Sequence, residues 1–108
     1  MGAKKTVIRR AKYRYGNLYN GDCLQVMKAL PDNSYTAIVS DPPYGIGFMG
    51  KEWDKALPSK YIWKQAYRLL KPGGVMLIFG GTRMFHRIAC QIEDAGFEIR
   101  DTICWLYG

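Results

Sequence analysis

Five consecutive apolar residues, Val75-Met76-Leu77-Ile78-Phe79, lie between Gly73-Gly74 and Gly80-Gly81. A strand that is apolar at every position suits a sheet covered on both faces. Helical patterns flank it. Residues 59–70 place Ile62, Trp63, Ala66, Leu69 and Leu70 on one side of a helix that Lys71-Pro72-Gly73-Gly74 stops. Phe85, Ile88, Ala89, Ile92 and Ala95 recur at helical spacing until Gly96. Upstream, Tyr35–Ser40 reads as a buried strand centred on Ala37-Ile38-Val39, and Phe97–Leu106 reads as a last strand. Strands alternating with helices imply an α/β fold with a mostly parallel sheet. A chain of 108 residues allows one such domain at most.

The N-terminal third is built differently. Residues 1–15 hold Lys4, Lys5, Arg9, Arg10, Lys12 and Arg14 and no acid, whereas the other 93 residues carry 10 bases and 9 acids. The net charge of +7 is therefore concentrated in a basic N-terminal arm, residues 1–15, ahead of a domain over 16–108. Such an arm suits either phosphate contact with nucleic acid or a solvated tail. Tyr15–Tyr19 reads as a short strand. Leu24, Met27 and Leu30 then give a short helix with Asp22 placed to cap it, and Pro31-Asp32-Asn33-Ser34 makes a turn. Lys60, Lys64 and Arg68 recur every four residues as a basic stripe, which is either a solvated helix face or a DNA contact.

Three widely spaced cysteines, Cys23, Cys90 and Cys104, suit neither a disulfide framework nor a zinc site. They read as buried filler in a cytoplasmic protein. No apolar run approaches membrane-spanning length, and no signal peptide is expected. His86, the single histidine, has no nucleophile at catalytic spacing and reads as structural.

Chemistry concentrates in residues 41–58, a loop with three prolines and three glycines. Ligands of open α/β sheets bind outside the carboxyl ends of the strands, and Asp41-Pro42-Pro43-Tyr44 directly follows the Tyr35–Ser40 strand. Two successive prolines hold a stiff, extended stub. That stub presents a carboxylate, a backbone carbonyl and an aromatic ring at fixed spacing. Two adjacent acceptors match the two N–H donors of an exocyclic amino group, and Tyr44 can stack on the flat base that carries it. The competing reading is a proline-rich turn with a capping Asp. Phe48 and Trp53, further along, read either as residues that pack the loop down or as lining for a base pocket.

Residues 40–54, S-D-P-P-Y-G-I-G-F-M-G-K-E-W-D, resemble the catalytic loop of the DNA amino-methyltransferases, which methylate adenine N6 or cytosine N4 with S-adenosylmethionine. Leu69-Leu70-Lys71-Pro72-Gly73-Gly74 and the strand after it resemble that family's next sheet segment. Phe79-Gly80-Gly81-Thr82-Arg83, residues 92–99 and Ile103–Gly108 resemble the phage and prophage members in particular. The resemblance covers about residues 17–108.

The resemblance implies a Rossmann-like S-adenosylmethionine-dependent methyltransferase fold, DNA as partner, and no metal. It implies that the base is flipped out of the duplex. Asp41 and the Pro42 carbonyl then accept from its amino group, Pro43 and Tyr44 complete the loop, and Tyr44 stacks on the base. The nitrogen attacks the sulfonium methyl with no covalent enzyme intermediate. Asp41 and Asp22 are the implied cofactor-binding acids, although Asp22 is equally explained as a helix cap. Asp rather than Ser at the first loop position leans toward adenine.

The family's Gly-rich cofactor turn, of the F-x-G-x-G type, and its target-recognition region have no counterpart in these residues. In the family sheet, two strands from that other half separate the strand near Tyr19 from the strand near Val39. The expectation is thus an incomplete fold with exposed strand edges: the N-terminal catalytic part of a longer methyltransferase, or one half of a split enzyme needing a second chain. The alternative from another class is a non-catalytic nucleic-acid-binding module.

Overall fold

The computed structural model describes residues 9–43, 45, 50 and 57–108. It is a mixed α/β structure with two separate two-stranded sheets. Strands β1 (Arg9–Tyr13) and β2 (Gly16–Asn20) form an antiparallel hairpin whose register runs from Arg9 opposite Asn20 to Tyr13 opposite Gly16. The short helix α1 (Cys23–Lys28) follows, capped by Asp22, which accepts from the Gln25 N–H at 3.1 Å. Strand β3 (Tyr35–Ser40), helix α2 (Lys60–Leu69) and strand β4 (Leu70–Ile78) make a parallel β-α-β unit, and helix α3 (Phe85–Asp94) comes after it. Ser59 caps α2, accepting from Tyr61 N–H at 3.3 Å.

The β3–β4 pair is covered on one face only. Trp63 of α2 and Ile88 and Ile92 of α3 form the core, and Met76 and Ile78 pack against it with Leu57, Ile62, Ala95 and Phe97. Strand residues alternate between faces. Accordingly Val39, Val75 and Leu77 project to the other side, where each keeps more than half of its surface exposed. The apolar run thus differs from a strand sheltered on both faces. Among the described residues no helix covers the second face.

Helix α2 ends at Leu69, as the Lys71-Pro72-Gly73-Gly74 stop predicts, and the strand register accounts for the two glycines. Tyr35 pairs with Leu70 and Ala37 with Val75, so one residue of β3 faces four of β4. That bulge puts Gly73 at a φ of 80°, and a Cβ on Gly74 would lie 2.8 Å from the Lys71 carbonyl oxygen. Gly96 closes α3 at a φ of 115°, a conformation costly for any residue with a Cβ.

A clasp fixes α1 to the end of α2. Asn33 and Ser34 donate their backbone N–H groups to the carbonyls of Arg68 and Leu69, both at 2.9 Å. Those are terminal helix carbonyls with no partner inside their own helix. In return, the Arg68 guanidinium donates to the carbonyls of Met27 at 2.7 Å and Leu30 at 2.8 Å, and pairs with Asp32. Arg68 therefore leaves the basic stripe expected on α2: its donors are committed to holding the fold.

Three further expectations change. Arg9–Tyr13 of the basic segment is a strand, and Met1–Ile8 lie outside the described residues. Phe97–Leu106 forms no strand, because neither sheet supplies it with a ladder partner. Its residues Ile103, Trp105 and Leu106 are largely exposed. All three cysteines are exposed rather than buried. His86 is an exposed residue of α3. No described helix is long and apolar enough to cross a membrane.

Candidate active site at the carboxyl end of the parallel strands

The parallel ladder ends where the proline stub begins. Ser40 pairs with Ile78, and the next backbone group, the Phe79 N–H, donates to the Ser40 carbonyl at 3.1 Å. That bond ties the residue before Asp41 to the residue before Gly80. Both outgoing loops, Asp41-Pro42-Pro43 and Gly80-Gly81-Thr82, consequently leave the same end of the sheet. Asp41 is exposed, while Pro42 and Pro43 are half-buried. Gly45 turns the chain with a φ of 75°. A carboxylate held at the rim and a stiffened backbone behind it are what the stub's sequence predicts. Tyr44, Phe48 and Trp53 lie outside the described residues.

The other end of the chain reaches this region. The Phe79 and Trp105 rings approach to 6.3 Å between centroids at 57°. Both residues are substantially exposed. Sequence reading missed this pair because each residue looked like an interior strand position. Gln91 was missed as well: its side chain accepts from the indole N–H of Trp63 at 3.1 Å, satisfying the one polar atom of the core tryptophan.

Asp22 is not brought to Asp41 by strand pairing. It follows β2, and β2 and β3 belong to different sheets. Its cap is explicit, one carboxylate oxygen serving the Gln25 N–H. Its charge is felt by Cys23, whose thiol is pushed above its ordinary range by burial first and by the neighbouring Asp22 second.

A parallel β-α-β unit with an acidic, proline-rich loop at its carboxyl end places that loop where open α/β sheets bind their ligands. Residues 35–107, from the start of β3 through the tail, match the family model described as DNA methylase, of N6 and N4 type. The chain belongs to this family of DNA amino-methyltransferases.

Three relatives show the extent of the likeness. A Type II methyltransferase of Bacillus amyloliquefaciens, M.BamHI, is 37% identical over 75 residues, covering 59% of this chain and 17% of its own length. A second, M.HindIII of Haemophilus influenzae, is 28% identical over 129 aligned positions, covering 82% of this chain and 42% of its own. A putative methylase of Escherichia coli, YubD, is 33% identical over 85 positions, covering 73% and 37%. The chain thus spans less than half the length of these relatives. No solved structure matches it.

Proposed function

We propose that this chain is the catalytic part of a DNA methyltransferase that moves a methyl group from S-adenosylmethionine to the exocyclic amino group of a flipped base, adenine N6. The observation that carries the reading is the Asp41-Pro42-Pro43 stub, tied to β4 through the Phe79 N–H···O=C Ser40 bond at 3.1 Å. An aromatic amine is a poor nucleophile because its lone pair is delocalised into the ring. The Asp41 carboxylate and the Pro42 carbonyl accept its two N–H groups and draw the nitrogen toward a pyramidal geometry, which frees that lone pair. The Asp41 carboxylate also receives the proton that the nitrogen must lose. The protein's contribution is placement and fixed charge. Tyr44, next in the loop, stacks on the extruded base.

The acidic groups suit a cationic cofactor: Asp41 and Asp22 are both exposed and both follow strands. S-adenosylmethionine, when bound, supplies an electrophilic methyl on a sulfonium centre. Asp41 would offer its carboxylate to that positive charge, and Asp22, beyond its role as a helix cap, would accept from ribose hydroxyls. The bare face of β3–β4 supports a partial Rossmann-like sheet whose second face is covered by further polypeptide, either from the same protein or from a second chain. The domain assignment follows: residues 16–108 form part of the catalytic domain and residues 1–15 the basic segment ahead of it. The Type II relatives favour a role beside a restriction enzyme.

The test is transfer of labelled methyl from S-adenosylmethionine to unmethylated DNA. It uses the chain alone and the chain mixed with a polypeptide bearing a Gly-rich F-x-G-x-G half. Transfer is expected in the mixture. Asp41→Ala should lower it by about 10²–10³-fold, the usual cost of removing one preorganised electrostatic group, with DNA affinity unchanged. Full transfer by the Asp41→Ala variant refutes the assignment.

A further inference from the structure

The β1–β2 hairpin stands apart from both the parallel sheet and the candidate active site. It carries Arg9, Arg10, Lys12 and Arg14, and no acidic residue occurs before Asp22. The residues opposite its strand cations are Asn20, Tyr19 and Asn17, so no carboxylate neutralises them across the ladder. Among the described residues, ion pairs join Arg68 to Asp32 and Arg100 to Glu98 and leave the hairpin's charge uncompensated.

Strand alternation and register assign the two faces. Arg9, Ala11 and Tyr13 share one face with Leu18 and Asn20, and Arg10 and Lys12 share the other with Asn17 and Tyr19. The tip is Arg14-Tyr15, with the guanidinium 5.0 Å from the ring centroid and Tyr15 88% exposed. Cations therefore leave this ribbon from both faces and from its end. A ribbon lying flat on one phosphate strand needs charge on a single face. A ribbon entering a groove meets a phosphate wall on each side. Five residues per strand extend about 17 Å, and the major groove, about 12 Å wide, admits a two-stranded ribbon.

We infer that the β1–β2 hairpin is a duplex-DNA docking ribbon. It inserts tip-first into the major groove, with Arg9 on one face and Arg10 and Lys12 on the other contacting opposite backbones and Arg14-Tyr15 at the groove floor. The inference rests on DNA being the substrate, but it concerns residues outside the candidate active site. Its role is affinity and register on the duplex, not base chemistry.

The test is fluorescence anisotropy of a labelled 20-base-pair duplex titrated with the 108-residue chain at several salt concentrations. The combined variant Arg9→Gln, Arg10→Gln, Lys12→Gln, Arg14→Gln should flatten the slope of log affinity against log salt by roughly 2.7, at about 0.9 for each of the three phosphate-contacting cations. Lys60→Gln with Lys64→Gln, on α2, should leave the slope as it is. Acetylation of the unaltered chain gives a readout that needs no variant: duplex should shield Lys12 and spare Lys60 and Lys64. Binding with an unchanged slope in the hairpin variant, or Lys12 acetylated equally with and without duplex, overturns the ribbon while leaving DNA as substrate. Equal binding and equal Lys12 shielding by a single strand overturns groove docking. Absence of any duplex binding at low salt also overturns the ribbon, and labelled methyl transfer then decides separately on the substrate.

Discussion

Arg68→Ala offers a sharp test of how the helices are held together. The guanidinium donates to the carbonyls of Met27 and Leu30 at 2.7 and 2.8 Å and to the Gln65 side chain at 2.8 Å, and it pairs with Asp32. Hydrogen bonds to a charged group contribute about 1.5–3 kcal/mol each when sheltered. The Arg68 side chain is 28% exposed, so water partly replaces what is lost, and the contribution falls below that range to about 1 kcal/mol for each carbonyl. Asp32 is mostly exposed and adds at most a few tenths, roughly, after screening. The sum is about 2 kcal/mol, or a fall in Tm of roughly 8–16 °C for a domain of this size. Circular dichroism during heating reads it directly. Arg68→Lys should recover less than half, because one ammonium cannot span both carbonyls. Unchanged Tm together with weakened DNA binding would refute the clasp and return Arg68 to a DNA-facing stripe.

Two other predictions are simpler. Gly74→Ala should cost about 1–3 kcal/mol by urea denaturation, since the new Cβ meets the Lys71 carbonyl at 2.8 Å and backbone must move; a neutral result would mean that the β4 bulge is absent. Cys23, with its thiol held above the ordinary range by burial and by Asp22, should react with a disulfide reagent at pH 8 more slowly in the native chain than in urea, because less of it is thiolate. Asp22→Ser keeps a helix cap, removes the charge and should raise the native rate, and no change in rate would contradict the electrostatic part of that account.

What could be read from the residues depended on how local the cause was. The β3–α2–β4–α3 order was legible because each element carries its own periodicity and its own stop, such as Gly80-Gly81 after β4 and Gly96 after α3. The Asp41 stub was legible because proline acts on its own backbone. Phe97–Leu106 was not, because an apolar, β-prone run becomes a strand only when a ladder partner exists, and neither sheet of this chain offers one. The cysteines failed for a related reason: burial depends on what else covers the surface. Arg68 looked like one of three evenly spaced cations, and nothing local marks it as the residue whose partners lie 36 to 41 positions away. The first strand of the hairpin was hidden by charge, since Arg9–Tyr13 has too few apolar residues to signal a strand without its partner.

The most direct measurement is mass spectrometry of nucleosides from DNA incubated with S-adenosylmethionine, this chain and the complementing Gly-rich half. The account predicts N6-methyladenine, lost when Asp41 is replaced by Ala. Methylation at cytosine C5, methylation indifferent to Asp41, or no methylated base at all would contradict it.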